Sequence, residues 1–343
     1  MNTMRAVLYY APKQIRLEEV PMPKVGPGEV LLKVGAALTC GTDFKAYRRG
    51  HPVLLGPAPA PFGHELAGTI VETGEGVAAF SKGDRVVAAN SAPCDRCFYC
   101  ARGQNQLCDH LKLHNGAYAE YNLVPANIVK HNLWKLPDHL GFREAALSEP
   151  LACAMHGVDA IAAREGETVA ILGAGPMALL LIQALRARGC RVIVAGRSKA
   201  NLDTARKAGA HETVSALDGD VAAAVRGLTE GRGADCVFEA VGLAETWKQS
   251  MSLVRKGGRV CLFGGCAAGT VVPVDAHRLH YEQISLHGVF HHTPKYFKAA
   301  VDLLAAKKVA VDLLIAGKIA LDEVPAFFAE FADTSIAKSA VIP

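Results

Sequence analysis

Four of the chain's 10 cysteines fall in one short stretch, CDRCFYCARGQNQLC (94–108). Cys94, Cys97, Cys100 and Cys108 follow the spacing C-x2-C-x2-C-x7-C. Four thiolates on so short a segment can close a tetrahedron around one Zn²⁺. Asp95, Arg96, Gly103, Gln104 and Asn105 give the segment a turn-rich character. Asp109 follows the last cysteine, whereas a cubane iron–sulfur site spaces its fourth cysteine differently and follows it with Pro. All four positions of such a tetrahedron are filled by protein, so the site is expected to be structural.

A second set of metal-ligating residue types is dispersed. Cys40 stands in LTCGTDF, just after an apolar run. His64 and Glu65 stand in PFGHELAG, just before another, and Glu149 in LSEPLAC. Each sits where a turn can expose a side chain. Singly, each has an ordinary alternative: a small buried thiol, a loop histidine, or an acid favouring a helix start.

VAILGAGPMALLL holds the third motif. Gly173, Gly175, Pro176, Met177 and Ala178 form a G-x-G-x-x-A turn between an apolar strand run and a helical stretch. Gly173 permits the tight turn. Gly175 lets a pyrophosphate approach the amides at the helix start, and Ala178 allows close packing. The next strand ends in Gly196, Arg197, Ser198 and Lys199, where an NAD-binding turn usually offers Asp or Glu. No acid there repels a 2′-phosphate, and Arg197 can clamp one with Ser198 and Lys199 beside it, so NADP is favoured over NAD.

The elements that position these residues change in texture near residue 150. Before it, 29–38, 66–74, 84–89 and 117–124 are strand-like runs, and 21–28 and 52–63 are Pro/Gly loops. After it, short buried-type strands at 168–172, 191–195, 212–214, 235–240, 258–264 and 284–289 alternate with helical stretches at 176–188 and 200–209. That order predicts a parallel, doubly wound sheet. A helix is expected over 293–308, within a tail that returns to the first domain. The 343 residues suit about two domains of roughly 150 residues. The 37 basic and 33 acidic residues are interspersed, for a net charge of +4, so a nucleic-acid footprint is not expected and a small-molecule partner is. No run approaches the apolar length of a membrane span, and MNTMRAVLYYAPKQ has no signal-peptide pattern, so a cytoplasmic protein is expected.

CGTD, GHE, the four-cysteine lobe, SEP and GAGPMA occur in this order, and NGAYAEY (115–121) resembles a G-x-x-A-E-Y strand. Together they resemble the zinc-dependent medium-chain alcohol dehydrogenase family, in its polyol (sorbitol/iditol) and threonine dehydrogenase branch. The resemblance covers essentially the whole chain. It implies an α/β fold: a GroES-like β-rich catalytic domain (1–150, completed by 291–343) and a Rossmann domain (151–290). It implies two zinc ions per chain, the catalytic one held by Cys40 and His64 with Glu65 or Glu149, directly or through water. Thr42 then resembles the hydroxyl that takes the substrate proton, and Asp43 the acid that orients His64. Lys45 stands where the liver-type enzymes have a relay histidine. The implied reaction passes a hydride from a secondary alcohol, a polyol or sugar alcohol, to NADP, with a homotetramer or homodimer expected. Alternatives are a threonine or aminocyclitol dehydrogenase using NAD, a zinc-free quinone reductase, and a non-catalytic nucleotide sensor. Lys45, Arg48, Arg49 and His51 form either a solvated loop or a face for an anionic substrate. His291 and His292 either line the pocket or pack in a loop.

Overall fold

TMRAVLYYA and QIRLEEVP form an antiparallel hairpin, β1 (Thr3–Ala11) and β2 (Gln14–Pro21), in the computed structural model. The structure describes residues 2–51, 54–331 and 337–343. The expected loop at 52–63 therefore has Pro52 and Val53 outside the described residues, as are 332–336 of the returning tail. The hairpin was not among the expected strands.

After β3 (Val30–Leu38) comes a helix, α1 (Gly41–Arg49), where a loop at 45–52 was one of two expectations. Two local features make it helical. The Cys40 sulfur accepts from the Thr42 N–H at 3.5 Å as an N-cap, and Gly50, at φ 73°, ends the helix with its N–H on the Ala46 carbonyl. Asp43 in the first turn and Arg48 and Arg49 in the last suit the helix dipole. The next elements are β4 (Ala60–Pro61), β5 (Glu65–Thr73), β6 (Arg85–Ala88), β7 (Tyr121–Val124), α2 (Ala126–Asn132), β8 (Leu133–Lys135), α3 (Phe142–Ala145) and α4 (Ser148–Ala160). The strand expected over 117–124 is shorter. Residues 121–124 pair with β3, while Ala119 makes a lone bridge to Ala6 and Tyr118 exchanges backbone bonds with Val7 and Phe62.

Six strands then alternate with helices: β9 (Thr168–Leu172), α5 (Pro176–Ala187), β10 (Arg191–Gly196), α6 (Lys199–Lys207), β11 (Glu212–Ser215), α7 (Val221–Gly227), β12 (Ala234–Glu239), α8 (Ala244–Leu253), β13 (Val254–Leu262), α9 (Ala276–Tyr281) and β14 (Ser285–Gly288). They form one parallel sheet in the order β11-β10-β9-β12-β13-β14. The inner strands are buried almost throughout, as strands covered by helices on both faces must be.

The chain closes with α10 (Pro294–Ala305), β15 (Ile315–Ala320), α11 (Val324–Phe331) and β16 (Lys338–Ile342). β16 pairs with β3 and with β15 in a seven-stranded sheet ordered β15-β16-β3-β5-β6-β8, with β7 also on β3. Two units result: Met1–Ala152 with His292–Pro343, and Cys153–His291. The first unit's core includes an aromatic group: Phe44 stacks on Phe328 at 4.4 Å, and Phe62 and Tyr118 lie against Phe328 at 5.4 and 5.9 Å. No described helix is long and apolar enough to cross a membrane.

Candidate active site

β3 and β5 run antiparallel with Leu38 opposite Glu65, so the residues beyond the end of one strand meet those at the start of the other. The Cys40 sulfur, a His64 ring nitrogen and a Glu65 oxygen lie within 4.8 Å of one another. A thiol, an imidazole and a carboxylate form a borderline-soft donor set that suits zinc. His64 Nδ1 donates to Asp43 Oδ1 at 2.8 Å, so Nε2 is the ring nitrogen that could ligate a metal. Burial disfavours a thiolate at Cys40, but Lys338 and His64 outweigh it and bring its pKa down to about 7. Burial likewise opposes charge on His64, yet Asp43 and Cys40 hold its pKa well above the usual histidine range. These buried partners make the pocket strongly polar.

Lys338, at the start of β16, completes this polar group. Its Nζ donates to both oxygens of Glu65 at 2.6 and 2.7 Å and to the Thr39 carbonyl at 3.1 Å. Both side chains are buried. Burial opposes the lysine's charge, but Glu65 and Cys40 hold its pKa above the ordinary range. Register brings it here: the Thr39 N–H donates to the Ser339 carbonyl at 3.0 Å, and the Thr39 hydroxyl accepts from the Ser339 N–H at 2.9 Å.

Glu149 lies in the first turn of α4 and is buried. Its carboxylate is close enough to act on the charges of Glu65 and Lys338, but it falls outside the mutual group of Cys40, His64 and Glu65. Its oxygen lies instead within 4.8 Å of a ring nitrogen of the buried His292. Thr42, half-buried, follows the cap residue Cys40 on the first turn of α1.

The four thiols of Cys94, Cys97, Cys100 and Cys108 lie within 4.8 Å of one another on a segment of turns and two short 3₁₀ helices. The backbone amide of Cys100 draws the Cys97 thiol down to about 6, while burial pushes Cys108 up to about 12. Asp95 fixes the lobe to α2, bonding Lys130 at 2.7 Å and His131 at 2.9 Å.

In the second unit Gly173 follows β9 at φ 108°. A Cβ there would meet Val241 at 3.0 Å, so the turn requires glycine on both counts. Gly175 caps α5 and Pro176 opens it, with Met177 and the buried Ala178 next. This presents the amides of a helix start, the arrangement that receives a phosphate. Arg197, Ser198 and Lys199 are exposed beyond the end of β10. Ser198 Oγ caps α6 by accepting from Asn201 N–H at 3.3 Å, and Lys199 pairs with Asp203 at 3.1 Å. Among the described residues Arg197 is thus the side chain of the three without a cap or pair of this kind.

Two residues at the group of Cys40, His64 and Glu65 are not apparent from the sequence. Lys338 begins an apolar strand run, KSAVI, and a lysine in such a run must find a buried acid; that was its signal. Tyr118, in NGAYAEY, donates from its hydroxyl to Asp43 Oδ2 at 2.6 Å. Nothing in its immediate sequence marks it apart from a core tyrosine.

Residues 26–138 match the alcohol dehydrogenase GroES-like domain, and 176–306 match the zinc-binding dehydrogenase domain. The sorbitol dehydrogenase of Halalkalibacterium halodurans is 33% identical over 300 residues, 85% of each chain. The L-threonine 3-dehydrogenase of Pyrococcus furiosus is 37% identical over 257 residues, 72% of each chain. Among solved structures, one described as a zinc-binding dehydrogenase of Sinorhizobium meliloti bound to NADP superposes with a TM-score of 0.92 at 34% identity, over all of both chains. The architecture of a GroES-like domain with a six-stranded parallel Rossmann sheet agrees with these relatives. The chain belongs to the zinc-dependent medium-chain alcohol dehydrogenase family, oxidoreductases that act on CH–OH donors.

Proposed function

We propose that this enzyme oxidises a secondary alcohol, a polyol or sugar alcohol, to a ketone, passing hydride to NADP in preference to NAD. The observation that carries it is the convergence of Cys40 with the buried His64 and Glu65 within 4.8 Å. Sorbitol dehydrogenases and an erythritol/L-threitol dehydrogenase, at 29–33% identity, support the polyol class. The absence of an acid after β10, with Arg197 exposed there, supports NADP, as does the NADP in the Sinorhizobium structure.

In this proposal Cys40 and His64 hold the catalytic zinc. Glu65, which Lys338 also engages through both oxygens, or Glu149 supplies the carboxylate, directly or through water. The four clustered thiols hold a second, structural zinc. Zinc at the first site supplies a Lewis acid that lowers the pKa of an alcohol hydroxyl. Thr42 receives the hydroxyl proton, and Asp43 keeps the His64 Nδ1 proton in place. Gly173, Gly175, Pro176 and Met177 receive the pyrophosphate, and Arg197 clamps the 2′-phosphate beside Ser198 and Lys199. A homodimer or homotetramer in the cytoplasm completes the proposal.

The test is zinc-loaded protein assayed with polyols, sugar phosphates, simple secondary alcohols and threonine, each with NADP and with NAD. Turnover of a polyol with NADP is expected. Arg197→Ala should raise KM for NADP about 10-fold or more and leave that for NAD nearly unchanged, the size of one lost charge-assisted bond. Equal effects on both cofactors remove Arg197 from the clamp. A second reading, threonine oxidation with NAD, is favoured by the 37–38% identity to L-threonine 3-dehydrogenases, and turnover of threonine alone would establish it.

A further inference from the structure

Tyr118 stands at the end of a buried chain of hydrogen bonds that reaches the metal-ligating histidine. Its hydroxyl donates to Asp43 Oδ2 at 2.6 Å, and Asp43 Oδ1 accepts from His64 Nδ1 at 2.8 Å. Tyr118 and Asp43 are fully buried and His64 is 3% exposed. The Leu38 carbonyl also lies near the hydroxyl, at 3.2 Å. A hydroxyl has one proton, and the shorter contact to a carboxylate takes it. Each oxygen of Asp43 thus has its own donor.

The tyrosine has little freedom to do otherwise. Its N–H bonds the Phe62 carbonyl at 3.1 Å, and its carbonyl accepts from Val7 at 2.8 Å. Its ring packs edge-on to Phe62 at 5.7 Å. The ring also lies over Gly63, the residue before His64, so closely that a Cβ there would come within 2.8 Å of three ring atoms. Gly63 is needed for the ring as well as for its own φ of 84°.

We infer that Tyr118 is a positioning residue for the catalytic metal site: its hydroxyl fixes the Asp43 carboxylate, and through it the ring of His64. Without that donor, Asp43 keeps a buried oxygen unsatisfied and is free to turn about its Cβ–Cγ bond. His64 then loses the partner that sets its tautomer and ring plane. Losing such an outer partner typically costs 10–100-fold in metal affinity. The inference rests on the zinc site proposed above.

The test is Tyr118→Phe, which keeps the ring contacts and removes one O–H. Zinc-loaded protein is mixed with excess chelator and release is followed with a zinc indicator. Wild-type release should show two phases, and the one absent from Cys40→Ser is the catalytic site. Tyr118→Phe should speed that phase about 10-fold or more and leave the four-thiol phase unchanged. In an Asp43→Asn background the same change should add almost nothing. Unchanged release, equal acceleration of both phases through general loosening, or full additivity with Asp43→Asn would each overturn the role of Tyr118. A wild-type chain with no Cys40-dependent phase would instead remove the zinc site itself, and this inference with it.

Discussion

At Glu65 a carboxylate and an ammonium share a site from which water is excluded. The two charges are tolerable because each satisfies the other: Lys338 spends its three N–H donors on Glu65 and the Thr39 carbonyl. Removing one partner is therefore worse than removing both. Lys338→Met should cost about 3–5 kcal/mol by urea denaturation, because it leaves a buried acid uncompensated. Adding Glu65→Gln should restore much of that loss, and a double variant no better than the single one would contradict the pairing. Cys40, His64 and Glu65 were legible in the sequence because each borders a strand run. Lys338 was not, because its partner lies 273 residues away and only the pairing of β16 with β3 brings them together. Tyr118 was hidden for a related reason: its hydroxyl bond crosses 75 residues to Asp43.

Among the elements, those with a strong period were the legible ones. The buried runs of β9, β10 and β12 between glycines and helical stretches fixed their type and parallel order. α1 was obscured by its cap, a cysteine, and by a short buried face of Asp43, Phe44, Ala46 and Tyr47 that includes a charge. Residues 117–120 read as strand, but their partners are split between β1 and the stretch before His64. The junction of β6 and β8 permits a pH prediction. Asp84, just before β6, accepts from the Ser81 N–H and pairs with Lys135 of β8, both at 2.8 Å. The Lys135 hydrogen bond, with that of Ser81, holds the Asp84 carboxyl below its usual range. A lowered folded pKa adds stability above the unfolded value, near 4, that is lost as pH falls through the folded one. Asp84→Asn should therefore cost less than about 1 kcal/mol at neutral pH, the scale of a partly exposed pair. The difference from wild type should shrink in urea melts below about pH 4. A difference that grew with acid would contradict the assignment.

For the whole molecule, the six-stranded sheet ends at β14, whose outer edge has no neighbour among the described residues. Val271, Val274, Tyr281 and Phe290, all exposed, flank it in sequence. An open edge with apolar side chains nearby invites pairing with another chain. Light scattering should accordingly give two or four times the chain mass of 36.3 kDa, and a single-chain mass would remove the oligomer from the proposal. The division into units has a consequence during synthesis. Glu65 leaves the ribosome 273 residues before Lys338, a delay of roughly 14–55 s at about 5–20 residues per second. Through that interval the second unit can form its complete parallel sheet, since its strands are contiguous in the chain. The first unit cannot complete its own: β3 lacks β16, and Glu65 has no counter-ion. The nascent chain can therefore gain its parallel sheet before Lys338 arrives to complete the buried group around Glu65.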